Sequence, residues 1–369
     1  MQKRLFFLGF TLWKRGFIKP FFKTQDNELI FLNSLQNLKN FHLKKEDEFF
    51  IWGKRISKNQ LEDTIKKQIQ NSFDFTPQIS FVEDGFIRSV SLGSDLTRPY
   101  SIIIDNKGLY INPNTESELE NILQNYDFDE NLLKRAQKLI EFLRINKFSK
   151  YNGLKHENIK FKAKEKQKII LIPAQVEDDA SMILGGCGLS TEEFIKEVRQ
   201  NNPKAYIVFK PHPDVLSGNR LGLKDEKIIL KFCDEMIQDL SIDSAINASD
   251  EIHTITSTAG FDALLRHKEV FTYGKPFYAG WGLTKDKHKI ERRKKKLSLE
   301  ELVAGTLILY PKYIHPKTKD LCEIELTLDI MLQMQQEYFS KTWLKMRIDL
   351  RNFFLRKIRR IFENIMKKT

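Results

Sequence analysis

Five short stretches of the chain combine residue types that can hold a phosphate, a carboxylate or a sugar. Gln175-Val176-Glu177-Asp178-Asp179-Ala180-Ser181 sets three consecutive acids just after an apolar run. Such acids can cap a helix or stay solvated. A carboxylate held at an anomeric carbon can also form a glycosyl-enzyme intermediate, splitting one displacement into two. Lys210-Pro211-His212-Pro213-Asp214 brackets a histidine between prolines, which stiffen the loop and remove two backbone donors. Held this way, Lys210 and His212 suit a phosphate or carboxylate; a plain proline turn with an exposed His is the other reading. His253-Thr254-Ile255-Thr256-Ser257-Thr258-Ala259-Gly260 reads as a strand-to-helix junction rich in hydroxyls. Either it is an ordinary helix cap, or Thr256, Ser257, Thr258 and Gly260 present N–H groups and the positive end of a helix to phosphate, with His253 nearby. Glu83-Asp84-Gly85-Phe86-Ile87-Arg88-Ser89 contains an Asp-Gly turn, or a Glu83/Asp84/Arg88 trio able to meet a hydroxylated, anionic substrate. Pro276 to Thr284 is a glycine-spaced aromatic loop in which Trp281 is either core or a sugar platform.

Other chemistries lack their residues. The three cysteines, Cys187, Cys233 and Cys322, are far apart, and the seven histidines form no i, i+4 pair, so the sequence predicts no metal centre and a reduced, cytoplasmic protein. No Gly-Lys-Ser/Thr follows a glycine loop, and Gly185-Gly186-Cys187-Gly188 is only a fragment of a dinucleotide signature.

The elements that must position these residues are legible as apolar runs. Residues 168–173, 205–210, 251–256 and 270–273 read as strands alternating with helices, one opened by a capping box at Ser190-Thr191-Glu192-Glu193. That alternation predicts a parallel sheet with helices on its faces, and ligands at the carboxyl ends of its strands. The first half reads as mixed α/β: strands at 49–53 and 79–82, a hairpin of 101–105 with 109–112, a helix over 129–145, and a lysine-rich linker within 146–167.

At 369 residues, 41% hydrophobic with 28 Phe, the chain is long enough for two domains and too apolar for wholesale disorder. Its net charge of +12 sits at the ends: residues 1–23 hold six Lys/Arg and no acid, and residues 341–369 hold ten against Asp349 and Glu363. The near-neutral middle argues against a basic nucleic-acid stripe across the body, and Arg292 to Lys296 reads as a solvated loop or an anion contact. The apolar stretch 5–13 is too short to span a bilayer and lacks a signal-cleavage pattern. Trp343, Leu344, Leu350, Phe353, Phe354, Ile358, Ile361, Phe362 and Ile365 recur at helical spacing among bases, the pattern of an interfacial helix or of one docked on its own domain.

Taken in order, EDGFIRS at 83–89, QVEDDAS at 175–181, KPHP at 210–213, HTITSTAG at 253–260, PFYAGWGLT at 276–284 and LSLEELVAGTLILYP at 297–311 resemble the KpsC-type capsule polysaccharide biosynthesis proteins, which are retaining β-Kdo glycosyltransferases. The resemblance runs from about residue 50 to 325, room for one module where many relatives carry two. It implies an α/β, GT-B-like fold of two Rossmann-like lobes with a cleft between them. The expected division is a basic apolar segment 1–23, an acceptor lobe 24–165, a CMP-Kdo lobe 166–330 and an amphipathic basic helix 331–369. It further implies Asp179 as nucleophile with Asp178 in reserve, Glu83 as acid/base partner, and Lys210 and His212 at the CMP phosphate or Kdo carboxylate. Ser257 and Thr258 would hold the phosphate, while Gln175, Ser181, His253, Thr256, Gly260, Asp84, Arg88 and Trp281 complete the substrate contacts. The implied acceptor is a lipid-linked glycan, a lysophosphatidylglycerol carrying Kdo, at the inner membrane. Other capsule biosynthesis or export proteins would be neighbours, with no cofactor, metal or nucleic acid. The rival expectations are a transferase for another CMP-activated ulosonic acid, such as sialic acid, and a non-catalytic membrane scaffold of capsule assembly.

Overall fold

A computed structural model describes residues 3–24, 26–69, 76–89, 98–149, 158–216, 220, 222–238, 240–341, 343, 346–347 and 350–351. The chain divides into two compact units, each discontinuous in sequence: residues 1–109, 151–153 and 307–369 form one, and 110–150 with 154–306 the other. The expected single division at 165/166 therefore differs from the packing. Helices Glu118–Asn125 and Glu130–Ile145 belong with the second unit, and the chain after Leu307 returns to the first.

In chain order the first strands are β1 (Lys3–Leu8), β2 (Asn27–Leu32), β3 (Glu48–Trp52), β4 (Gln78–Asp84) and β5 (Ser101–Asp105). They are followed by β6 (Ile169–Pro173), β7 (Tyr206–Lys210), β8 (Glu235–Met236), β9 (Glu251–Thr254), β10 (Glu269–Thr272), β11 (Lys285–Asp286), β12 (Pro311–Ile314) and β13 (Leu321–Cys322).

The first unit holds a seven-stranded sheet ordered β13-β12-β5-β4-β3-β1-β2. Strands β2, β1, β3 and β4 run parallel, while β5, β12 and β13 are added antiparallel. Because successive strand side chains point to opposite faces, the phenylalanine pairs split between two cores. Phe7 and Phe50 join Phe17, Phe21 and Phe22 of the helix Leu12–Phe22 on one face. Phe6 and Phe49 join Leu38, Leu61 and Ile65 on the other. Phe7 stacks on Phe31 at 4.8 Å and on Phe50 at 5.1 Å.

Leu5 to Leu8 are at most 2% exposed. Each such side chain is worth about 1.5–3 kcal/mol in burial, so the basic, apolar start of the chain is sheet core and not a segment apart. Residues 109–112 do not form a strand. The partner of β5 beyond β4 is β12, supplied from more than two hundred residues later, and the Asn106-Lys107-Gly108 turn is closed by the Asp105 carboxylate, which accepts from the N–H groups of Lys107 and Gly108.

The second unit holds a six-stranded sheet, β11-β10-β9-β6-β7-β8, parallel throughout. Its core gathers Ile170, Ile172, Ile207 and Phe209 from the strands with Phe194, Ile195 and Val198 from the helix Thr191–Asn201. That helix begins with the expected capping box, Ser190 and Glu193 satisfying each other's backbone N–H groups. Arg293 departs from the expected solvated run. It is buried, donates to the carbonyls of Pro276, Phe277 and Ala279, lies over the Trp281 ring and bonds Glu120, which Arg292 also holds.

The helix Ile324–Ser340 buries Ile324, Leu328 and Met331. Beyond it Trp343, Met346 and Leu350 are exposed; the remainder of the expected basic helix, with residues 150–157 of the expected linker, lies outside the described residues. Among the described residues, no helix is long and apolar enough to cross a membrane.

Candidate functional site

The strand order of the second unit marks where a ligand belongs. From β6 the chain moves outward to β7 and β8, then returns to build β9 and β10 on the other side of β6. The loops leaving β6 and β9 consequently diverge, and the crevice at their carboxyl ends is the binding position of open parallel sheets. Gln175 follows β6 and Thr256 follows β9. The two close a reciprocal pair across this point: the Gln175 amide donates to Thr256 Oγ1 at 2.8 Å, and the Thr256 N–H donates to Gln175 Oε1 at 2.8 Å. Both side chains are buried, so the pair fixes the spacing of the two loops with neutral groups.

Each loop then starts a short helix. Asp179 caps Ala180–Gly185, its Oδ1 accepting from the N–H of Ser181 at 3.0 Å and from Ser181 Oγ at 2.8 Å. Ser257 caps Thr258–Leu264, accepting from the N–H of Ala259 at 3.2 Å. A buried Tyr278 hydroxyl donates to the Ser257 carbonyl at 2.5 Å, and burial pushes that hydroxyl's pKa well above its ordinary value. Gly260 exists for this contact, because a Cβ there would overlap the Tyr278 hydroxyl. Gly185 and Gly274 serve the same close packing: the Gly185 carbonyl accepts from Lys275 N–H at 2.8 Å, and a side chain on Gly274 would press on it. Gly185 is thus a packing residue and Gly186 the cap of the helix Ala180–Gly185, not a dinucleotide fingerprint.

Next to β6, Lys210 ends β7 opposite Pro173, buried, with its ammonium 3.5 Å from the Gln238 carbonyl. His212 is half-buried, and its carbonyl accepts from Val215 and Leu216 N–H groups, fixing the turn into the helix Pro213–Leu216. Gln175, Asp179, Ser181, Lys210, His212, Thr256, Ser257 and Thr258 therefore occur at one sheet edge. Asp178 is exposed and pairs with Arg220 at 3.1 Å, a partner the sequence did not suggest.

Two expected contacts fall elsewhere. His253 is 1% exposed inside the sheet layer, its ring stacked on Phe271 at 4.3 Å between Tyr273 Oη and Glu251 Oε2. Burial pushes its pKa down, while the hydrogen bond from His253, with Lys168, holds the Glu251 carboxyl at about 2. His253 is a core residue. Trp281 is fully buried, its Nε1 donating to the Phe277 carbonyl, so the aromatic loop folds inward and offers no platform.

Glu83, Asp84 and Arg88 lie in the first unit, at the end of β4. Arg88 is buried and bonds Asp84 Oδ2 at 2.8 Å. Glu83 is half-buried beneath Gly53, whose φ of +52° and lack of Cβ leave room for the Glu83 carboxylate. Lys14 and Arg55 join this group, although sequence reading passed over both. The ammonium of Lys14 lies 3.4 Å from the centre of the Trp52 ring. Burial lowers its pKa to about 8, opposed by Glu83 and Asp84 and reinforced by Arg55 and Arg88. The signal that could have found them is a glycine directly after each of two apolar strands, Gly9 and Gly53, with a base a few residues on.

Residues 48–313 match the family model "Capsule polysaccharide biosynthesis protein". The chain is 42% identical over 337 residues to the capsule polysaccharide modification protein LipA of Neisseria meningitidis serogroup A, covering 91% of this chain and 46% of that protein. It is 38% identical over 247 residues to the lipopolysaccharide-processing protein LpsZ of Rhizobium meliloti, covering 66% of this chain and 56% of that one. It thus spans about half the length of these relatives. Among solved structures it resembles the β Kdo 2,7 transferase of Thermosulfurimonas dismutans KpsC, with 35% identity, a TM-score of 0.72, 90% of this chain covered and 100% of that one. The β Kdo 2,4 transferase of the same protein matches at 27% identity and a TM-score of 0.72, covering 88% of this chain and 97% of that one. With the family model matching most of its length and a Kdo transferase module matched from end to end, the chain belongs to the capsule polysaccharide biosynthesis protein family and is of the KpsC type.

Proposed function

We propose that this chain is a retaining β-Kdo glycosyltransferase that moves Kdo from CMP-Kdo to a Kdo-bearing, lipid-linked acceptor in capsule assembly. The observation that carries the reading is Asp179 at the β6/β9 crevice, beside the Gln175–Thr256 pair, in a chain similar to Kdo transferase modules. Asp179 attacks the anomeric carbon of Kdo, and the bond to CMP breaks with its electron pair leaving on the phosphate. An acceptor hydroxyl then attacks the same carbon, Glu83 takes its proton, and the Asp179 carboxylate is expelled, so two inversions return the β configuration. Lys210, His212, Ser257 and Thr258 stabilise the charge on the departing phosphate.

A GT-B organisation belongs to the same proposal, as does activity without a metal or cofactor, which EDTA treatment tests. The higher identity with the 2,7 module than with the 2,4 module favours a β2,7 linkage. Exposed Trp343, Met346 and Leu350 beside Arg347 and Arg351 support peripheral attachment to an anionic inner-membrane surface. Equal partitioning of the full chain and of a 341–369 deletion into anionic vesicles would remove that part.

The test is incubation with CMP-Kdo made in situ and a Kdo-terminated acceptor, followed by mass spectrometry and NMR of the product. One added Kdo in β linkage supports the reading. Product only with another CMP-ulosonic acid, or CMP retained without turnover of any donor, overturns it.

A further inference from the structure

The first unit contains a second switch point. Its parallel strands lie in the order β2-β1-β3-β4, so the chain builds β2 on one side of β1 and returns to build β3 on the other. The crevice at the carboxyl ends of β1 and β3 is again where ligands bind in such sheets. Both strands end in glycines of positive φ, Gly9 at +77° and Gly53 at +52°. A Cβ at Gly9 would come within 3.1 Å of Arg55 Cβ, and one at Gly53 would overlap the Glu83 carboxylate. Each backbone is thus bared so that a charged side chain can lie against it. Arg55 Nη1 reaches the Gly9 carbonyl at 3.4 Å, bridging the two loops, and Lys14 enters from the first turn of the helix after β1.

Among the described residues, three bases meet two acids at this edge. Lys14, Arg55 and Arg88 face Glu83 and Asp84, and Arg88 is already bonded to Asp84. Neither Lys14 nor Arg55 forms an ion pair within 4.0 Å among the described residues. A Lys held against an indole face, with an Arg across a switch-point crevice from it, presents a site for one negative charge next to a carboxylate.

We propose that Lys14 and Arg55 bind an anionic group of the acceptor at the β1/β3 crevice, setting the acceptor hydroxyl beside Glu83. The assignment of that ligand as acceptor rests on the transferase reading; the anion site itself does not. The ligand chemistry is a hydroxylated molecule carrying one anion, either a sugar carboxylate or a glycerophosphate diester.

The experiment uses the full chain, with three probes titrated by NMR: a methyl β-Kdo glycoside, its carboxamide, and glycerophosphoglycerol. Lys14→Met and Arg55→Met are compared with Lys14→Arg and Arg55→Lys, and CMP binding reports that the second unit remains folded. The wild type binds one of the two anionic probes and not the carboxamide. Each Met variant weakens that binding about tenfold or more, and the charge-retaining variants recover part of it. Binding of the carboxamide as tight as of the acid, anion binding unchanged in both Met variants, or no binding of either anion overturns the proposal. In the transfer assay the Met variants raise KM for the acceptor and leave KM for CMP-Kdo in place. If no donor is turned over while the anion still binds through Lys14 and Arg55, the transferase reading fails and the anion site stands. If transfer proceeds with acceptor KM unaltered by either Met variant, the reverse holds.

Discussion

The two switch-point crevices of this molecule are built from opposite materials. At β6/β9 the loops are tied by a neutral amide–hydroxyl pair, Gln175 with Thr256, and flanked by two helix caps. At β1/β3 they are spanned by Arg55 and surrounded by Lys14, Glu83, Asp84 and Arg88. A neutral frame adds no fixed charge to compete with a multiply charged ligand, and the charge it offers comes from N–H groups, Lys210 and the aspartate that caps the helix. A frame of opposed charges is suited instead to ligands that differ by a proton or a single anion. On the proposed reading, one parallel-sheet plan provides a phosphate-type crevice in one unit and a proton- and anion-handling crevice in the other.

The comparison breaks first at Asp179. Asn caps helices about as well as Asp, so Asp179→Asn keeps the Ser181 bonds and removes the proposed nucleophile. Steady-state kinetics should show transfer reduced by roughly a thousandfold or more with little change in Tm. Asp178→Asn, which loses only an exposed ion pair with Arg220, should cost far less, in line with about 0–1 kcal/mol for such pairs. An equal loss for both would mean that the reserve aspartate carries chemistry.

Trp281→Ala tests whether the aromatic loop is scaffold. It empties a fully buried site under Arg293 and should lower stability by about 3–5 kcal/mol in urea titration. A stable variant with weakened sugar binding would restore the platform reading. Gln175→Leu strands the Thr256 N–H and leaves its hydroxyl only the Met182 sulfur, at about 1–3 kcal/mol, and should raise KM for the donor more than for the acceptor.

The smallest effect separates the crevices by pH. Lys14 has a folded pKa of about 8 against an ordinary 10.5, so between these values the native state has lost a proton that the unfolded state keeps. Stability should then rise modestly with pH across that window, where the buried site no longer holds a charge, and Lys14→Met should flatten the rise in denaturant titrations. Acceptor binding should move the other way, weakening as the ammonium discharges.

What sequence conveyed, and what it withheld, follows the range of the interactions. Strands β6 and β7 are visible because a parallel strand buried on both faces is a continuous apolar run, as Ile169–Pro173 and the Ile207–Phe209 centre of β7 are. The Ser190 capping box was visible because it closes within four residues. The Gln175–Thr256 pair was not, since its partners stand 81 positions apart and nothing local marks them as mates. His253 lay in a motif whose other members reach the crevice, but strand alternation turns its ring into the sheet layer beside Glu251. Arg293 reads as one more base in a charged run until three carbonyls and Glu120 surround it. Lys14 and Arg55 each follow a glycine, yet only the strand order brings them to one crevice.

The late strand β12 gives the chain a timetable. Strand β5 leaves the ribosome about two hundred residues before β12 arrives to cover its edge, roughly 10–40 s at ordinary rates of synthesis. Through that interval the Ser101–Asp105 edge offers unpaired backbone to any passing strand, while the whole second unit is made and can fold on its own core. A nascent chain stalled near residue 306 should thus be a sticky species, and emergence of Pro311–Ile314 the step that makes it safe.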